Sequence, residues 1–190
     1  MSAPGAISAA KKDISRLYRG SEGSRWSKFS TCVRSPGLQA VLLFRFGNWL
    51  SVKGVSVRVF LQPVYALLNH RVKSKWGIDI DRRAKIGGGL VINHYGGIFV
   101  GPQVSIGESC VIGHNVTLGL AGEGPRRGAP MIGDNVTIAP GAVIAGRIRI
   151  GDDSAIGPNV VVMRSIPERA RVFSDPIRWA QFPPKKEPNG

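Results

Sequence analysis

The chain contains three histidines, and two of them occupy places where an imidazole could do chemistry. His94 comes just before an interruption of a regular sequence repeat, and His114 has the same place in that repeat one coil later. Because an imidazole exchanges a proton near neutral pH, His94 could take part in catalysis, and His114 could contact a substrate. A plain surface residue is the alternative for His114. His70 follows an apolar helical pattern and is expected at a helix end with no chemical role.

The elements that position these histidines follow from an aliphatic residue that returns at every sixth position. The repeat is carried by Ile80, Ile86, Ile92, Ile98, Val100, Ile106, Ile112, Leu118, Ile132, Ile138, Ile144, Ile150, Ile156 and Val162. Neither helical periodicity nor the alternation of a half-buried strand produces this spacing. A hexapeptide repeat is typical of a parallel β-solenoid, in which three flat sides close a coil of about eighteen residues. The sequence therefore predicts a mainly β fold: a parallel β-helix preceded by a small α-helical region.

Two interruptions of the repeat mark the places where the chain leaves the regular coil. The first shifts the repeat by two residues between the run that ends at Ile98 and the run that begins at Val100, shortly after His94. The second is longer and separates Leu118 from Ile132. Because a solenoid side cannot absorb extra residues, residues 119–131 are expected to protrude as a loop, and such loops commonly carry function in repeat proteins.

Composition divides the chain into four segments. These are a flexible basic segment over residues 1–35, a helical region over 36–77, the β-helix over 78–166, and a C-terminal cap and tail over 167–190. The helical region contains two apolar helices, which are expected to pack together and close the open end of the β-helix. A helix at the membrane surface, with Trp49 and Trp76 at the interface, is the alternative interpretation. Basic residues interrupt the apolar runs, so a membrane-spanning helix is not expected.

The formal net charge of +14 is concentrated near the N-terminus. Residues 1–77 contain 13 Lys/Arg and 2 Asp/Glu, whereas residues 78–190 contain 13 and 10. This excess indicates either a solvated basic face or attraction to an anionic membrane or acidic polymer. Nucleic acid is not an expected partner, because no nucleic-acid-binding motif accompanies the charge. Two cysteines and a polar N-terminus without a signal peptide favour the cytoplasm, with peripheral contact at the inner membrane face as an open alternative.

Three stretches of the β-helical region resemble one family of enzymes. They are Asp79–Asp81 with Ala84–Gly87, Asn93–Gly101 and Val116–Gly119. On these motifs residues 79–166 resemble the left-handed β-helix hexapeptide acyltransferases, and specifically their serine acetyltransferase branch. Residues 38–50 also resemble the segment that precedes the β-helix in that branch. The left hand of the coil is an implication of this resemblance, because the repeat alone does not fix it.

The resemblance implies a reaction and the residues that perform it. His94 would be the general base and Asp79 the carboxylate that orients it, with acetyl-CoA as the co-substrate and no metal. An alcohol is protonated at neutral pH, so its attack on a thioester needs such a base, which contributes about 10²–10⁴-fold. Backbone N–H groups near Gly119 would stabilise the oxyanion. The acetyl-CoA site would comprise Gly119, Ala139, Gly141, Ala142 and Pro158, with the pantetheine arm beside the last four.

Four positions depart from the pattern of the serine acetyltransferase branch. Asn93, Gly128 and Ala129 replace an Asp before the general base and an Arg-His pair before the proline that ends the loop, and Ser35 replaces an acidic residue. Loss of these charged partners should weaken the binding of a zwitterion such as serine. The sequence therefore predicts acetylation of a hydroxyl on a sugar or polysaccharide precursor. L-Serine O-acetylation is the alternative, and a non-catalytic solenoid scaffold is the second alternative.

The expected assembly also follows from the resemblance. In that family three subunits pack around a threefold axis, so that residues of two chains build each site. Asn93 and His114 are expected to contact the acceptor, while Arg126 and Arg127 on the protruding loop suit the phosphates of CoA or an acidic glycan. Serine acetyltransferases join two trimers through a larger helical domain than the one expected here. The sequence therefore predicts a homotrimer.

Overall fold

The structure, a computed structural model, describes residues 5–17, 34–124 and 127–174. Within them the helices are α1 (Ala6–Leu17), α2 (Pro36–Ser51) and α3 (Val55–Trp76). The strands are β1 (Ile78–Ile80), β2 (Lys85–Ile86), β3 (Val91–Ile92), β4 (Ile98–Val100), β5 (Ser105–Ile106), β6 (Val111–Ile112), β7 (Thr117–Gly119), β8 (Met131–Ile132), β9 (Thr137–Ile138), β10 (Val143–Ala145), β11 (Arg149–Ile150), β12 (Ala155–Ile156), β13 (Val161–Val162) and β14 (Arg171–Val172). They form parallel sheets with the orders β1-β4-β7-β10-β13 (first), β2-β5-β8-β11 (second) and β3-β6-β9-β12-β14 (third). This arrangement confirms the predicted parallel β-solenoid.

The core of the prism is built by the aliphatic residues of the repeat. Ile98, Ile112, Leu118, Ile144 and Ile156 are almost completely buried. Residues aligned by the parallel ladders stack on one another from coil to coil, as Leu118 and Ile144 do between β7 and β10. Burying each such side chain stabilises the fold by roughly 1.5–3 kcal/mol. The aliphatic residues of the sequence repeat are therefore the core residues of the prism.

The pairing register shows where the two interruptions of the repeat leave the coil. Along the first sheet Ile78 pairs with Ile98, Phe99 with Thr117, Thr117 with Val143 and Val143 with Val161. The successive coils therefore span 20, 18, 26 and 18 residues. Relative to an 18-residue coil, two residues are added between β3 and β4 and eight between β7 and β8. These are the places of the two interruptions seen in the sequence.

Helices α1, α2 and α3 lie at the end of the prism formed by its first coil. α2 packs against α1, α3, β1 and β3, and α3 also packs against β1. The start of α2 is fixed by Pro36 at the first helical position and by Ser35, whose Oγ accepts a hydrogen bond from the Leu38 N–H at 3.3 Å. α3 ends at Gly77, which is left-handed with φ 61°. Within the described residues no helix is long and apolar enough to cross a membrane.

Residues 6–17 differ from the expectation of a flexible N-terminal segment. They form α1, in which Asp13 is fully buried. The Asp13 carboxylate accepts hydrogen bonds from the N–H groups of Gly89 at 2.7 Å and Leu90 at 2.8 Å, and it pairs with Arg45 at 2.8 Å. A composition rich in serine, glycine and basic residues suggested mobility, but this carboxylate fixes the helix to the prism. Residues 18–33 lie outside the described part of the chain.

The solenoid continues past the boundary expected at residue 166. Ile166 bridges to Ile150, and β14 extends the third sheet by pairing with β12. Residues 167–174 therefore prolong the last coil, where the sequence suggested a separate cap. The remainder of the expected cap and tail, residues 175–190, lies outside the described residues.

Candidate active site

One edge of the prism brings together residues that follow the strands of the third sheet. His94 and His114 lie two residues beyond β3 and β6, and Pro140 and Pro158 have the same place after β9 and β12. The parallel pairing of these strands stacks the four positions along the prism. We call this line of residues the histidine edge. It separates the third sheet from the first.

The two residues added to the first coil form a tight turn that presents His94 to solvent. The backbone of His94 is left-handed, with φ 64°, and its side chain is exposed. Gly96 and Gly97, which follow, also have positive φ. A Cβ on Gly97 would collide with the side chain of Asn115, so the turn requires glycine at this position.

His114 lies directly beside His94 on the histidine edge. The two ring centroids are 5.8 Å apart and the ring planes are nearly perpendicular, at 86°. His114 Nδ1 is buried and has no hydrogen-bond partner among the described residues. The backbone of His114 is held by Gly141, whose N–H donates to its carbonyl oxygen at 3.0 Å. The structure therefore brings together the two histidines that the sequence singled out.

Asp79 lies on the first sheet, in β1, paired with Phe99 of β4. Its Oδ1 forms an ion pair with Lys73 Nζ at 2.8 Å, and the two side chains are 38% and 41% exposed. In the described part of the chain its carboxylate makes no hydrogen bond to His94. The expected contact between carboxylate and imidazole is thus not formed within this chain. Sequence reasoning missed Lys73, whose signal was its place in the last turn of α3, where a cation is favoured.

The residues expected to bind acetyl-CoA fall into separate groups. Ala139, Gly141 and Pro158 lie at the histidine edge with accessible surface. Gly119 is buried at the far end of β7, on the opposite edge of the first sheet. Ala142 is fully buried inside the prism, and its expected contact with acetyl-CoA stays a prediction.

The protruding loop leaves the prism between the first and second sheets. Its base is an antiparallel bridge, in which Ala121 and Gly128 each donate an N–H to the other's carbonyl oxygen at 3.1 Å. Arg127 is exposed, and Arg126 lies outside the described residues. Because the first sheet separates this loop from the histidine edge, the base of the loop and His94 lie roughly 10 Å apart or more, the length of a three-residue strand. One chain does not bring them together.

The corner that precedes β3, and therefore His94, is held by side chains of α1 and α2. Arg45 donates hydrogen bonds to the carbonyl oxygens of Ile86 and Gly87, both at 2.6 Å. Asp13 balances the charge of Arg45 inside the protein. Sequence reasoning missed this support, although Asp13 is the only acidic residue among the first 21.

Asp81 belongs to the same sequence motif as Asp79 but is engaged elsewhere. The Arg83 guanidinium donates to its two carboxylate oxygens at 3.1 and 2.9 Å. These hydrogen bonds lower the pKa of Asp81, so the carboxylate stays ionised and does not suit an acid. Among the described residues no group of three or more His, Cys, Asp or Glu could hold a metal ion.

The same fold and motifs occur in known proteins. Residues 129–164 match the bacterial transferase hexapeptide family (six repeats). The serine acetyltransferase of Helicobacter pylori is 33% identical over 141 residues, which cover 74% of this chain and 79% of that protein. This chain belongs to the serine acetyltransferase family. The Mycobacterium tuberculosis serine acetyltransferase is 35% identical over 141 residues, 74% of this chain and 59% of that protein.

Solved serine acetyltransferases have the same architecture. Isoform 3 from Entamoeba histolytica, in complex with cysteine, superposes with a TM-score of 0.74 at 28% identity and covers 94% of this chain and 61% of its own. The Neisseria gonorrhoeae enzyme in complex with serine gives 0.72 at 28% identity, with 90% and 67% covered. The present chain therefore spans only about half to two thirds of the length of many of its relatives, for example 56% of the Synechococcus elongatus protein.

The prediction of a sugar or polysaccharide acceptor is wrong. The relatives and the solved structures are serine acetyltransferases, which favours the L-serine alternative. The prediction gave decisive weight to Asn93, Gly128 and Ala129. These are three single positions, whereas the similarity extends over most of the chain.

Proposed function

We propose that this protein transfers the acetyl group of acetyl-CoA to the hydroxyl of L-serine, giving O-acetylserine and CoA. The observation that carries the proposal is the exposed His94 on its glycine turn, in a chain whose relatives are serine acetyltransferases. One of the structures with the same fold is a complex with serine.

His94 acts as the general base. Its imidazole accepts the proton of the serine hydroxyl, whose oxygen attacks the thioester carbonyl and forms a tetrahedral intermediate. Gly119 lies on the opposite edge of the first sheet from His94, so the backbone N–H groups that stabilise the negative oxygen of that intermediate would be those near Gly119 of a neighbouring subunit. The C–S bond then breaks, and the departing CoA thiolate takes the proton from the imidazolium. Atoms and charge balance without a metal or a covalent enzyme intermediate.

Asp79 is proposed as a positioning residue for His94. Its present ion pair with Lys73 is half exposed, and such pairs contribute only about 0–1 kcal/mol. Rearrangement of the pair when substrate binds is therefore inexpensive. A carboxylate bonded to one imidazole nitrogen fixes the tautomer in which the other nitrogen can accept a proton.

The acceptor site is proposed to lie around His94, with Asn93 and His114 as contacts. Asn93 is exposed and uncharged, so it can hydrogen-bond the ammonium group of serine but cannot pair with it ionically. Gly128 and Ala129 likewise offer no cation for the serine carboxylate. We expect serine to bind more weakly here than it would at a site with charged partners.

The donor site is proposed to require a second copy of the chain. Ala139, Gly141 and Pro158 provide a strip on the histidine edge for the pantetheine arm. Arg127, on the loop at the opposite edge of the first sheet, and Arg126, which precedes it in the sequence, suit the CoA phosphates. In a trimer of prisms the loop of one subunit can reach the histidine edge of its neighbour, which one chain by itself cannot do.

The reaction itself tests the proposal. Purified protein is incubated with acetyl-CoA and increasing L-serine, and both released CoA thiol and O-acetylserine are quantified, the latter by mass spectrometry. We expect equal amounts of the two products, with saturation only at high serine concentration. Binding of acetyl-CoA by calorimetry without any O-acetylserine at saturating serine would show that the acceptor is wrong.

A further inference from the structure

The outward face of α3 is apolar and uncovered. Phe60 is 81% exposed and Leu67 is 70% exposed, and Val57, Val64 and Leu68 are exposed beside them. These five residues, which we call the outer stripe, recur at helical spacing along one face. Only Tyr65 and Val72 of this 22-residue helix are buried. One face of α3 thus packs against the rest of the protein, and the other face is exposed to water.

Apolar surface continues from the outer stripe across the other helices. A groove of about 340 Å³ between α2 and α3 is lined in part by Leu42, Phe46 and Leu68. A second groove, of about 440 Å³, runs between α1 and α2 and includes Ile7 and Phe46. Apolar surface of this extent on a soluble domain marks a binding surface for a protein or a membrane.

The charge around this surface has one sign. Residues 34–77 contain seven Lys or Arg and no Asp or Glu. In α1 the only acidic residue is Asp13, which is fully buried and paired with Arg45. Lys11, Arg58 and Arg71 form no ion pair within the described residues. The exposed surface of the three helices is therefore cationic and apolar together.

This positive charge distinguishes between two candidate partners of the apolar surface, a second copy of the chain and an anionic membrane. In a contact with a second copy of the chain, a twofold axis would bring the same cationic surface against itself without acidic partners. An anionic lipid surface supplies both the missing negative charge and an apolar layer. Trp49 stacks with Lys53 at 4.8 Å and Trp76 with Lys75 at 5.6 Å, and tryptophan with lysine suits the boundary between lipid headgroups and acyl chains.

We propose that α3 lies in the plane of an anionic membrane surface, with the outer stripe inserted among the lipids and the flanking cations at the headgroups. The helix lies on the membrane and does not span it. Because the three helices occupy the end of the prism at its first coil, the prism projects away from the bilayer and leaves the histidine edge open to water. This membrane contact does not depend on which molecule accepts the acetyl group.

Vesicle co-flotation with the full chain tests this surface. The probes are vesicles of phosphatidylcholine alone and of phosphatidylcholine with about 30 mol% phosphatidylglycerol. The test variant carries Phe60→Ser and Leu67→Ser, two exposed positions whose change leaves the packed face of α3 intact. Phe173→Ser, an equally exposed aromatic at the other end of the prism, is the matched control.

We expect wild type and the Phe173→Ser control to float with anionic vesicles and to bind neutral ones at least about tenfold more weakly. The double variant should lose at least about tenfold in binding, and raising NaCl from about 0.1 M to about 0.5 M should release the wild type. Equal flotation of the double variant would overturn the proposal. Failure of the wild type to bind any vesicle would also overturn it. If the wild type then had twice the mass of the double variant in light scattering, the face would be assigned to a second copy of the chain.

Discussion

His94 is the general base in the proposed mechanism, and its imidazole is exposed and makes no hydrogen bond that would occupy it among the described residues. Replacing it with alanine removes the base but leaves the left-handed turn, which the neighbouring glycines support. We therefore expect His94→Ala to lower kcat by about 10²–10⁴-fold with little change in acetyl-CoA binding. Steady-state kinetics together with calorimetric titration of acetyl-CoA measure both effects.

The matched control for this variant is His70→Ala. His70 is an exposed helix residue whose Nε2 forms a hydrogen bond with Ser74 Oγ at 3.4 Å. Its replacement should leave kcat unchanged. Full activity of the His94 variant would exclude a base at this position.

Asn93 offers a gain-of-function test of the acceptor site. Asn93→Asp keeps the size of the side chain and adds the negative charge that an ammonium group would pair with. We expect the KM for serine to fall by about tenfold, with a smaller change in kcat. Asn135→Asp, at an exposed corner on another edge of the prism, is the control and should change neither constant. An unchanged KM in the Asn93 variant would place the ammonium group elsewhere.

Cys110 gives the protein a predictable response to alkaline pH. Burial raises the pKa of its thiol to about 11. A group whose pKa is higher in the folded than in the unfolded state stabilises the fold below the unfolded pKa, and this contribution is lost as pH rises toward the folded value. We expect stability to fall between about pH 9 and pH 11, by up to about 2 kcal/mol. Urea unfolding at both ends of this range should show a smaller decline for Cys110→Ala, and equal declines would contradict the assignment.

Sequence reasoning at the residue scale succeeded where the placement of a side chain depends on its position along the repeat. Counting sixes placed His94 and His114 on one line, and the structure brings their rings together. The same count puts Ala142 four residues after Ile138, at an inward position, so its burial was already implied. The ion pair between Lys73 and Asp79 was not predictable, because it joins a helix to a strand across a distance set by packing.

At the scale of elements, α1 depends on one buried ion pair. Removing Asp13 would leave Arg45 buried without its counterion and free the N–H groups of Gly89 and Leu90. We expect Asp13→Ala to destabilise the protein by about 3–5 kcal/mol. Lys12→Ala, which breaks the exposed pair with Glu108, is the control and should cost less than about 1 kcal/mol. Thermal and urea unfolding distinguish the two, and equal effects would show that α1 is not anchored through Asp13.

The elements divide into those that the sequence determines locally and those that it does not. The strands and their core follow from the hexapeptide repeat, and the start of α2 follows from Ser35 and Pro36. α1 was not predicted, because its composition is that of a mobile segment and the residues that anchor it lie far away in the sequence. β14 was not predicted, because the sequence repeat is no longer regular after Val162, although the parallel pairing of the third sheet continues.

At the scale of the whole molecule, the residues proposed for the site are divided between two edges of the prism. His94 lies on the histidine edge, while the loop bridged between Ala121 and Gly128 leaves from the opposite edge of the first sheet. The sequence could indicate both features but not their separation, which depends on how the coils close. The hand of the coil and the threefold packing came from the family resemblance alone.

A shared site makes a specific prediction about mixed assemblies. We expect the protein to be a trimer of about 60 kDa, three times the 20.4 kDa chain, by light scattering. His94→Ala and a variant whose residues 122–127 are replaced by two glycines should each be inactive alone. Co-expressed in equal amounts, they should recover about one quarter of wild-type activity, because a chain with an intact His94 then meets a neighbour with an intact loop at that frequency. If each site belonged to one chain, every site in the mixture would carry a defect, so absence of recovery, or an active monomer, would contradict the shared site.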